Sequence, residues 1–331
     1  MGVGAGGGAG LIDGQGRRLS YLRLSITDRC DLDCSYCRAG AVRKPLGPPL
    51  TIEEIVTLGT AFADRLGFRK VRLTGGEPLM RRDLEEIIRG LRDRAGFERV
   101  ALTTNGRTLR ERVRALRAAG LDQVNVSLDT LCAGSYRQIR GADALDDVLA
   151  GIDEALAAGF RRVKVNVVLL RSFGLAEFDS FVEWGRGRPL EVRFIELMPT
   201  PGNLEFHRRE HVSGAPLVER LVSSGFERVP PGSDDGPASV YRRPGESLRV
   251  GFLTPVSKPF CSTCNRLRVT ATGTLKLCLF GGDSVDLRPH VGAGPDAVAD
   301  VVRKAAALRP AGDRSDAGTI ACDHDLSTVG G

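Results

Sequence analysis

Between Tyr21 and about Met198, short β-branched runs alternate with longer stretches whose apolar residues recur every three to four positions. A short apolar run with turn residues at its end reads as a strand, and the longer period reads as a helix. Their alternation predicts repeated βα units around a parallel sheet. Six strands are predicted, at Tyr21–Thr27, Lys70–Thr74, Val100–Thr104, Gln123–Ser127, Arg162–Val168 and Glu191–Glu196. The helical stretches between them include Ile52–Leu66, Leu84–Arg94, Leu109–Ala119, Leu145–Ala158 and Leu175–Gly185. Thr51 followed by Glu54 predicts a capping box at the start of the first of these.

Each predicted strand runs into a polar or glycine-rich segment: Thr27-Asp28-Arg29-Cys30, Thr74-Gly75-Gly76-Glu77-Pro78, Thr103-Thr104-Asn105-Gly106, Ser127-Leu128-Asp129, Lys164-Val165-Asn166 and Glu196-Leu197-Met198-Pro199. Catalytic residues of (β/α) barrels gather at the carboxyl ends of the strands, so this distribution locates an active face. Six units instead of eight predict an incomplete, TIM-like (β/α)6 barrel with an open side. After Pro199 the pattern breaks into a Pro/Gly-rich, charged region from Pro230 to Gly245, followed by β-like runs at Leu248–Leu253, Arg266–Thr270 and Thr274–Leu279. The reading is therefore a flexible segment over 1–19, a partial barrel over 20–200 and a smaller β-rich module over 201–331.

Composition narrows the class. A chain of 331 residues with 42% hydrophobic content can bury a large core. It contains no run of eighteen apolar residues, and its Gly/Ala-rich opening has no basic n-region or apolar h-region, so no membrane span or secretory signal is expected and the location is read as cytoplasmic. The net charge of +6 fits either an anionic small-molecule ligand or a solvated basic surface.

Eight cysteines in so long a chain are more in keeping with metal than with a disulfide framework, and six fall into two groups. Cys30, Cys34 and Cys37 form C-x3-C-x2-C in the loop after the first strand. Three thiolates leave one iron of a [4Fe–4S] cluster without a protein ligand, and that iron can take the amino and carboxylate groups of S-adenosylmethionine. A partial zinc knuckle is the plain alternative. Cys261, Cys264 and Cys278 form C-x2-C-x13-C, again three; a zinc ribbon short of its fourth ligand is the alternative there, with His290 and Cys322 the nearest further donors.

The segment Cys30-x3-Cys34-x-Tyr36-Cys37 resembles the radical-SAM superfamily. The resemblance implies that Tyr36 lies against the adenine, that Gly75-Gly76-Glu77-Pro78 meets the methionyl group through Gly76, and that Ser127 and Met198 complete the adenosyl pocket. Around the second group, Phe260-Cys261-Ser262-Thr263-Cys264-Asn265-Arg266-Leu267-Arg268 and then Gly273-x4-Cys278-Leu279-Phe280 resemble the carboxyl-terminal signature of the GTP 3′,8-cyclases, which begin molybdenum cofactor biosynthesis. Tyr21-Leu22-Arg23-Leu24-Ser25, Arg193-Phe194-Ile195-Glu196 and the terminal Gly330-Gly331 extend the likeness over nearly the whole chain.

That resemblance implies two [4Fe–4S] clusters, S-adenosylmethionine as cofactor and GTP as substrate. The first cluster cleaves S-adenosylmethionine, the resulting 5′-deoxyadenosyl radical takes hydrogen from C3′ of GTP held at the second cluster, and C3′ then attacks C8. The activity is that of a carbon–carbon lyase, giving (8S)-3′,8-cyclo-7,8-dihydroguanosine 5′-triphosphate. An electron donor of flavodoxin or ferredoxin type and a downstream cyclic pyranopterin monophosphate synthase are the implied partners, a homodimer is compatible, and neither nucleic acid nor membrane is expected. The substrate contacts it implies are Arg23, Arg72, Thr103, Lys164, Arg193, Arg266, Leu267 and Arg268. Guanidinium groups suit a triphosphate because they bind its oxygens bidentately and stay charged when desolvated. On the strands, such residues would face inward, which surface solvation does not explain.

Some features fall outside this picture. His207 and His211, spaced i, i+4, read as part of a surface helix, and Cys132 and Cys322 take no role. Departures from the family pattern are Asp31-Leu32-Asp33 between the first cysteines, Arg38-Ala39 after Cys37, and the 311–328 segment before the Gly-Gly end. Two rivals remain open. A radical-SAM peptide-modifying enzyme would normally bring more cysteines in its second module. A zinc-stabilised nucleic-acid-binding protein would want a stacking platform that 5% aromatic content does not suggest.

Overall fold

The computed structural model describes residues 10–37, 47–232 and 236–312. Arg38-Ala39, Cys322 and the Gly330-Gly331 end lie outside the described residues, as does most of the 311–328 segment. The described strands are β1 (Tyr21–Ser25), β2 (Lys70–Thr74), β3 (Arg99–Thr104), β4 (Gln123–Ser127), β5 (Arg162–Leu169), β6 (Leu190–Glu196), β7 (Glu227–Val229), β8 (Ser239–Arg242), β9 (Arg249–Leu253), β10 (Arg266–Val269), β11 (Thr274–Lys276) and β12 (Ser284–Asp286). They form one unclosed sheet in the order β12-β11-β10-β1-β2-β3-β4-β5-β6-β9-β8-β7.

The six expected strands lie side by side and parallel. Residues after 200 do not build a separate sheet. They extend this one at both edges: β10 pairs parallel with β1, and β9 pairs parallel with β6. Packing explains both additions. Leu267 and Val269 of β10 join Leu22 and Leu24 of β1 in the core, all four fully buried. On the far side Phe252 of β9 stacks on Phe194 of β6 with ring centroids 5.7 Å apart, and Phe178 from the helix Gly174–Gly185 lies 4.9 Å from Phe194. Each such ring pair contributes about 0.5–1.5 kcal/mol beyond its buried area.

Up to Gly185 the helices follow the predicted spans, with local differences; the region expected to be β-rich also carries helices at Leu204–Glu210, Ala215–Ser223, Arg288–Val291 and Pro295–Ala307. Ile52–Thr60 begins with the reciprocal Thr51/Glu54 box, Glu54 N to Thr51 Oγ1 at 3.2 Å and Thr51 N to Glu54 Oε2 at 2.8 Å. It then passes into a π turn at Ala61–Arg65, and Leu84–Arg89 does the same at Gly90–Arg94. The helix Ala133–Arg140 was not predicted: it follows Cys132 with only Tyr136 and Ile139 as large apolar inward residues, too short a stripe to register. Two expectations need correction. Residues 10–19, expected as part of a flexible opening, are packed, with Leu11, Asp13 and Leu19 buried and an Ile12–Arg18 bridge closing a hairpin. His207 is buried, not displayed on a surface helix, its ring 4.8 Å from that of His211. Among the described residues no helix is long and apolar enough to cross a membrane.

Candidate active site

Strand register builds the site. Because in-register neighbours on a sheet point to the same face, the pairings place Arg72, Arg23 and Arg268 in one row across β2, β1 and β10. Lys70, Tyr21 and Arg266 form a second row on the same three strands. Further round, Thr103, Asn125 and Lys164 align across β3, β4 and β5, and Ser127, Asn166 and Arg193 across β4, β5 and β6. The next position in that last row, on β9, is Gly251, where an added Cβ would stand 3.2 Å from Arg193 Cγ. All these residues except Gly251 line one cavity, and the six clustered cysteines line it too.

Of the predicted site residues, Cys30, Cys34, Cys37, Cys261, Cys264, Cys278, Tyr36, Gly76, Ser127, Met198, Arg23, Arg72, Thr103, Lys164, Arg193, Arg266 and Arg268 border this cavity. Leu267 does not. Its neighbours Arg266 and Arg268 face the cavity, so alternation along β10 turns its side chain into the hydrophobic core. Sequence reading had missed Tyr21, Lys70, Asn125 and Asn166. Their signal was available: each stands an even number of residues from a predicted site residue on its own strand.

The cationic wall is strongly mutually perturbed. Burial opposes ionisation of the Tyr21 phenol, yet Arg72, Arg23 and Lys70 outweigh it and hold the group at about 7, with Arg72 Nε donating to its oxygen at 2.5 Å. Burial, reinforced by Arg72 and Arg266, lowers Arg23 to about 10. Burial also lowers Lys164 to about 7, with Arg193 pushing the same way and Glu191 opposing. Arg268 is held well below its ordinary value by burial and by Arg23 and Arg266. Buried cations that disfavour one another this way suit an anionic ligand, whose charge would offset their repulsion. The buried donor Arg193 Nη2 has no hydrogen-bond partner among the described residues and suits the same kind of ligand, while the acceptors Asn125 Oδ1 and Asn166 Oδ1 are open to a donor.

On the other side of the cavity, the first cysteine loop is braced by strand ends. Gly76 N donates to Thr27 O at 2.8 Å and Glu77 N to Arg29 O at 2.6 Å. A Cβ on Gly76 would lie 2.1 Å from Arg29 O, and on Gly75, at φ +148°, 2.3 Å from Thr27 O, so only glycine allows the two loops this approach. Glu77 accepts from Leu79 N, Asn105 N and Thr104 Oγ1; burial nevertheless raises it to about 7. Asp31, one of the acidic departures, accepts from Asn105 Nδ2 at 2.8 Å and so ties the cysteine loop to the end of β3. Tyr36 donates to Asp129 at 2.9 Å, Arg140 pairs with Asp129 at 2.8 Å, and Arg140 Nη1 donates to Cys34 Sγ at 3.3 Å.

The donor sets suit iron–sulfur clusters. Both are all-thiolate, all six cysteines are free of disulfides, and each group receives a guanidinium N–H on sulfur, at Cys34 from Arg140 and at Cys264 from Arg309. Among the described residues no three Cys, His, Asp or Glu side chains converge on a single-ion site. In a cubane each thiolate meets a different iron, so such convergence is not required.

A parallel βα sheet carrying C-x3-C-x2-C after its first strand and Gly-Gly-Glu-Pro after its second defines the radical-SAM class. The Radical SAM superfamily profile matches residues 24–185, and the profile called Molybdenum Cofactor Synthesis C matches 190–314. The chain is 44% identical over 329 residues to the GTP 3′,8-cyclase of Aeromonas hydrophila, covering 97% of this chain and 96% of that one, and 43% identical over 302 residues to that of Edwardsiella ictaluri, covering 90% and 92%. The chain belongs to the GTP 3′,8-cyclase family. Among solved structures, Streptococcus suis SuiB bound to S-adenosylmethionine superposes with a TM-score of 0.56 at 12% identity, over 79% of this chain and 60% of SuiB. That likeness extends to the fold alone.

Proposed function

We propose that this protein converts GTP to (8S)-3′,8-cyclo-7,8-dihydroguanosine 5′-triphosphate, the opening step of molybdenum cofactor biosynthesis, using S-adenosylmethionine and two [4Fe–4S] clusters. One observation carries the reading: both three-cysteine groups border a single cavity to which the strands contribute seven cationic side chains, Arg23, Lys70, Arg72, Lys164, Arg193, Arg266 and Arg268. Cys30, Cys34 and Cys37 would hold a cluster that supplies the electron for cleaving S-adenosylmethionine, and Cys261, Cys264 and Cys278 would hold a second with an iron free to take the guanine base.

The protein's own residues do the rest. Tyr36, Gly76, Ser127 and Met198 surround the adenosyl side, and Asp129 fixes the Tyr36 hydroxyl. Arg23, Arg72, Arg268 and Lys164 take the triphosphate, whose charge relieves their mutual repulsion, while Thr103, Asn125 and Asn166 add neutral polar contacts. Held at both ends, the substrate has one ribose C–H bond within reach, and water is kept from a reactive carbon centre. An electron donor of flavodoxin or ferredoxin type and a downstream cyclic pyranopterin monophosphate synthase are the partners this chemistry calls for, and a homodimer is compatible with it.

Anaerobic incubation of reconstituted protein with GTP, S-adenosylmethionine and dithionite tests the reading. The expected result is 5′-deoxyadenosine together with the cyclised triphosphate, from protein carrying about eight irons per chain. Formation of 5′-deoxyadenosine with no cyclised nucleotide would leave the superfamily in place and remove GTP as the substrate.

A further inference from the structure

Asp13 is a fully buried carboxylate near the beginning of the described chain, outside the cavity, yet its two guanidinium partners reach Cys261, Cys264 and the residue before Cys278. Arg17 Nε donates to Asp13 Oδ2 at 2.7 Å, and Arg309 Nη1 donates to the same oxygen at 2.8 Å. From there Arg17 Nη1 reaches the carbonyl of Cys261 at 3.0 Å. Arg309 reaches further: Nη1 donates to Cys264 O at 2.9 Å, Nη2 to Cys264 Sγ at 3.1 Å and to Arg266 O at 3.2 Å, and Nε to the carbonyl of Leu277, the residue before Cys278, at 3.0 Å. Asp13 also accepts from the backbone N–H of Gln15 and of Arg17, which fixes the hairpin turn that carries it. Close backbone contact locks that hairpin in place, since a Cβ on Gly14 would lie 2.1 Å from Ala307 O.

We infer that Asp13 and Arg309 form a positioning relay for the second three-cysteine group, in which Asp13 aims Arg309 so that its guanidinium shapes the cysteine loop and donates to the Cys264 thiolate. The inference rests on the two-cluster reading above. A cluster held by three thiolates carries net negative charge, and a cationic N–H on one of those sulfurs favours the more negative, reduced form. Arg309 therefore raises the reduction potential of the second cluster as well as holding its ligands. Arg17 donates to the carbonyl oxygens of Cys261, Pro310 and Ala311, so it holds the loop through its backbone. The first group has a matching arrangement, in which buried Asp129 holds Arg140 against Cys34. The relay makes the 10–19 hairpin, some 290 residues away in sequence from Arg309, part of the second cluster's support.

The test uses the full chain with Cys30→Ala, Cys34→Ala and Cys37→Ala, so that only the second group can hold iron, and measures iron per chain, the rate of iron release to a chelator, the EPR spectrum and the midpoint potential. Into this parent are placed Arg309→Lys, Asp13→Asn and Arg17→Lys, each checked for folding by thermal melting. Arg309→Lys and Asp13→Asn are expected to release iron roughly 10- to 100-fold faster, with a midpoint potential shifted to more negative values and an altered EPR signal. Arg17→Lys is expected to quicken release with the potential unchanged. Should one variant fail to fold, the folded ones still decide the matter, because Arg309→Lys keeps the charge and Asp13→Asn keeps the shape. A folded Arg309→Lys protein with the parent's potential and release rate would overturn the relay and leave the two-cluster reading intact. A parent that binds no iron while the unsubstituted protein binds about four would instead overturn the two-cluster reading, and the relay with it.

Discussion

Lys164 Nζ lies 3.4 Å from Oε1 of Glu191 on the neighbouring strand, with both side chains buried. Arg193 Nε donates to that same oxygen, and Arg249 Nε stands 3.6 Å from Oε2. One carboxylate is thus shared among three cations, and Lys164 is left near 7 by burial and by Arg193. Above about pH 7 the folded, ligand-free protein therefore lacks a proton here that the unfolded chain keeps up to about 10.5. This group's contribution to stability grows as pH rises toward 10.5 and is lost as pH falls through about 7. A bound triphosphate reverses the balance and recharges the amine. GTP binding at pH 8 is expected to take up a proton, seen as calorimetric heats that differ between buffers of different ionisation enthalpy. Lys164→Gln should shrink the difference, leaving the share of Tyr21, which, against burial, is also held near 7 by Arg72 and Arg23; heats that match in every buffer for the unsubstituted protein would refute it.

Arg268 and Arg23 face one another on β10 and β1 and disfavour one another's charge. Removing one should weaken GTP binding and relieve repulsion at once. Arg268→Met is expected to raise the Kd for GTP roughly ten- to a hundredfold, the loss of about 1.5–3 kcal/mol for a charge-assisted contact. Its melting temperature should stay level or rise, because an apolar side chain of similar length replaces a buried cation. A fall in melting temperature with unchanged GTP affinity would show that Arg268 is structural.

Gly76 allows the Gly-Gly-Glu-Pro loop to approach the cysteine loop closely. Gly76→Ala forces its new Cβ off Arg29 O, and the 2.8 Å bond from Gly76 N to Thr27 O is lost with it. Formation of 5′-deoxyadenosine is expected to fall about a hundredfold, the usual effect of an ångström-scale displacement of reacting groups. Gly292→Ala, where an added Cβ meets nothing within 4 Å, is the control and should leave turnover unchanged.

Glu196, buried at the end of β6, links the barrel to the second cysteine loop. It accepts from Ser257 N at 2.9 Å, Val256 N at 3.2 Å, Gly214 N at 3.4 Å and from the Ser257 hydroxyl. Glu196→Ala leaves those donors unsatisfied and is expected to cost about 1–3 kcal/mol, read as a lower melting temperature. Because the Val256–Ser257 stretch leads directly into Cys261, iron content should fall by up to half in the same variant. Glu196→Gln, which retains one acceptor, should recover part of both losses.

Much of the site could be read in the chain because chemistry-bearing residues cluster locally. The three cysteines of each group lie within a few residues or one hairpin of each other, and the Gly-Gly-Glu-Pro and Asn-Arg-Leu-Arg segments carry family-specific detail. Strand alternation also said which arginines turn inward, since period two is a property of the backbone itself. Leu267 entered the expected contacts with its motif, whereas alternation along β10 turns its side chain to the core.

By itself, the sequence determined the six βα units, both three-cysteine groups and the cationic character of the wall, because each depends on local periodicity or on spacing. Tertiary structure alone decided that β9 and β10 join the barrel sheet at opposite edges, that both cysteine groups share one cavity, and that Asp13 supports Arg309. Those relationships join residues tens to hundreds of positions apart through burial of apolar faces and satisfaction of buried charge. No window of sequence contains both partners, so only the packed chain could bring them together.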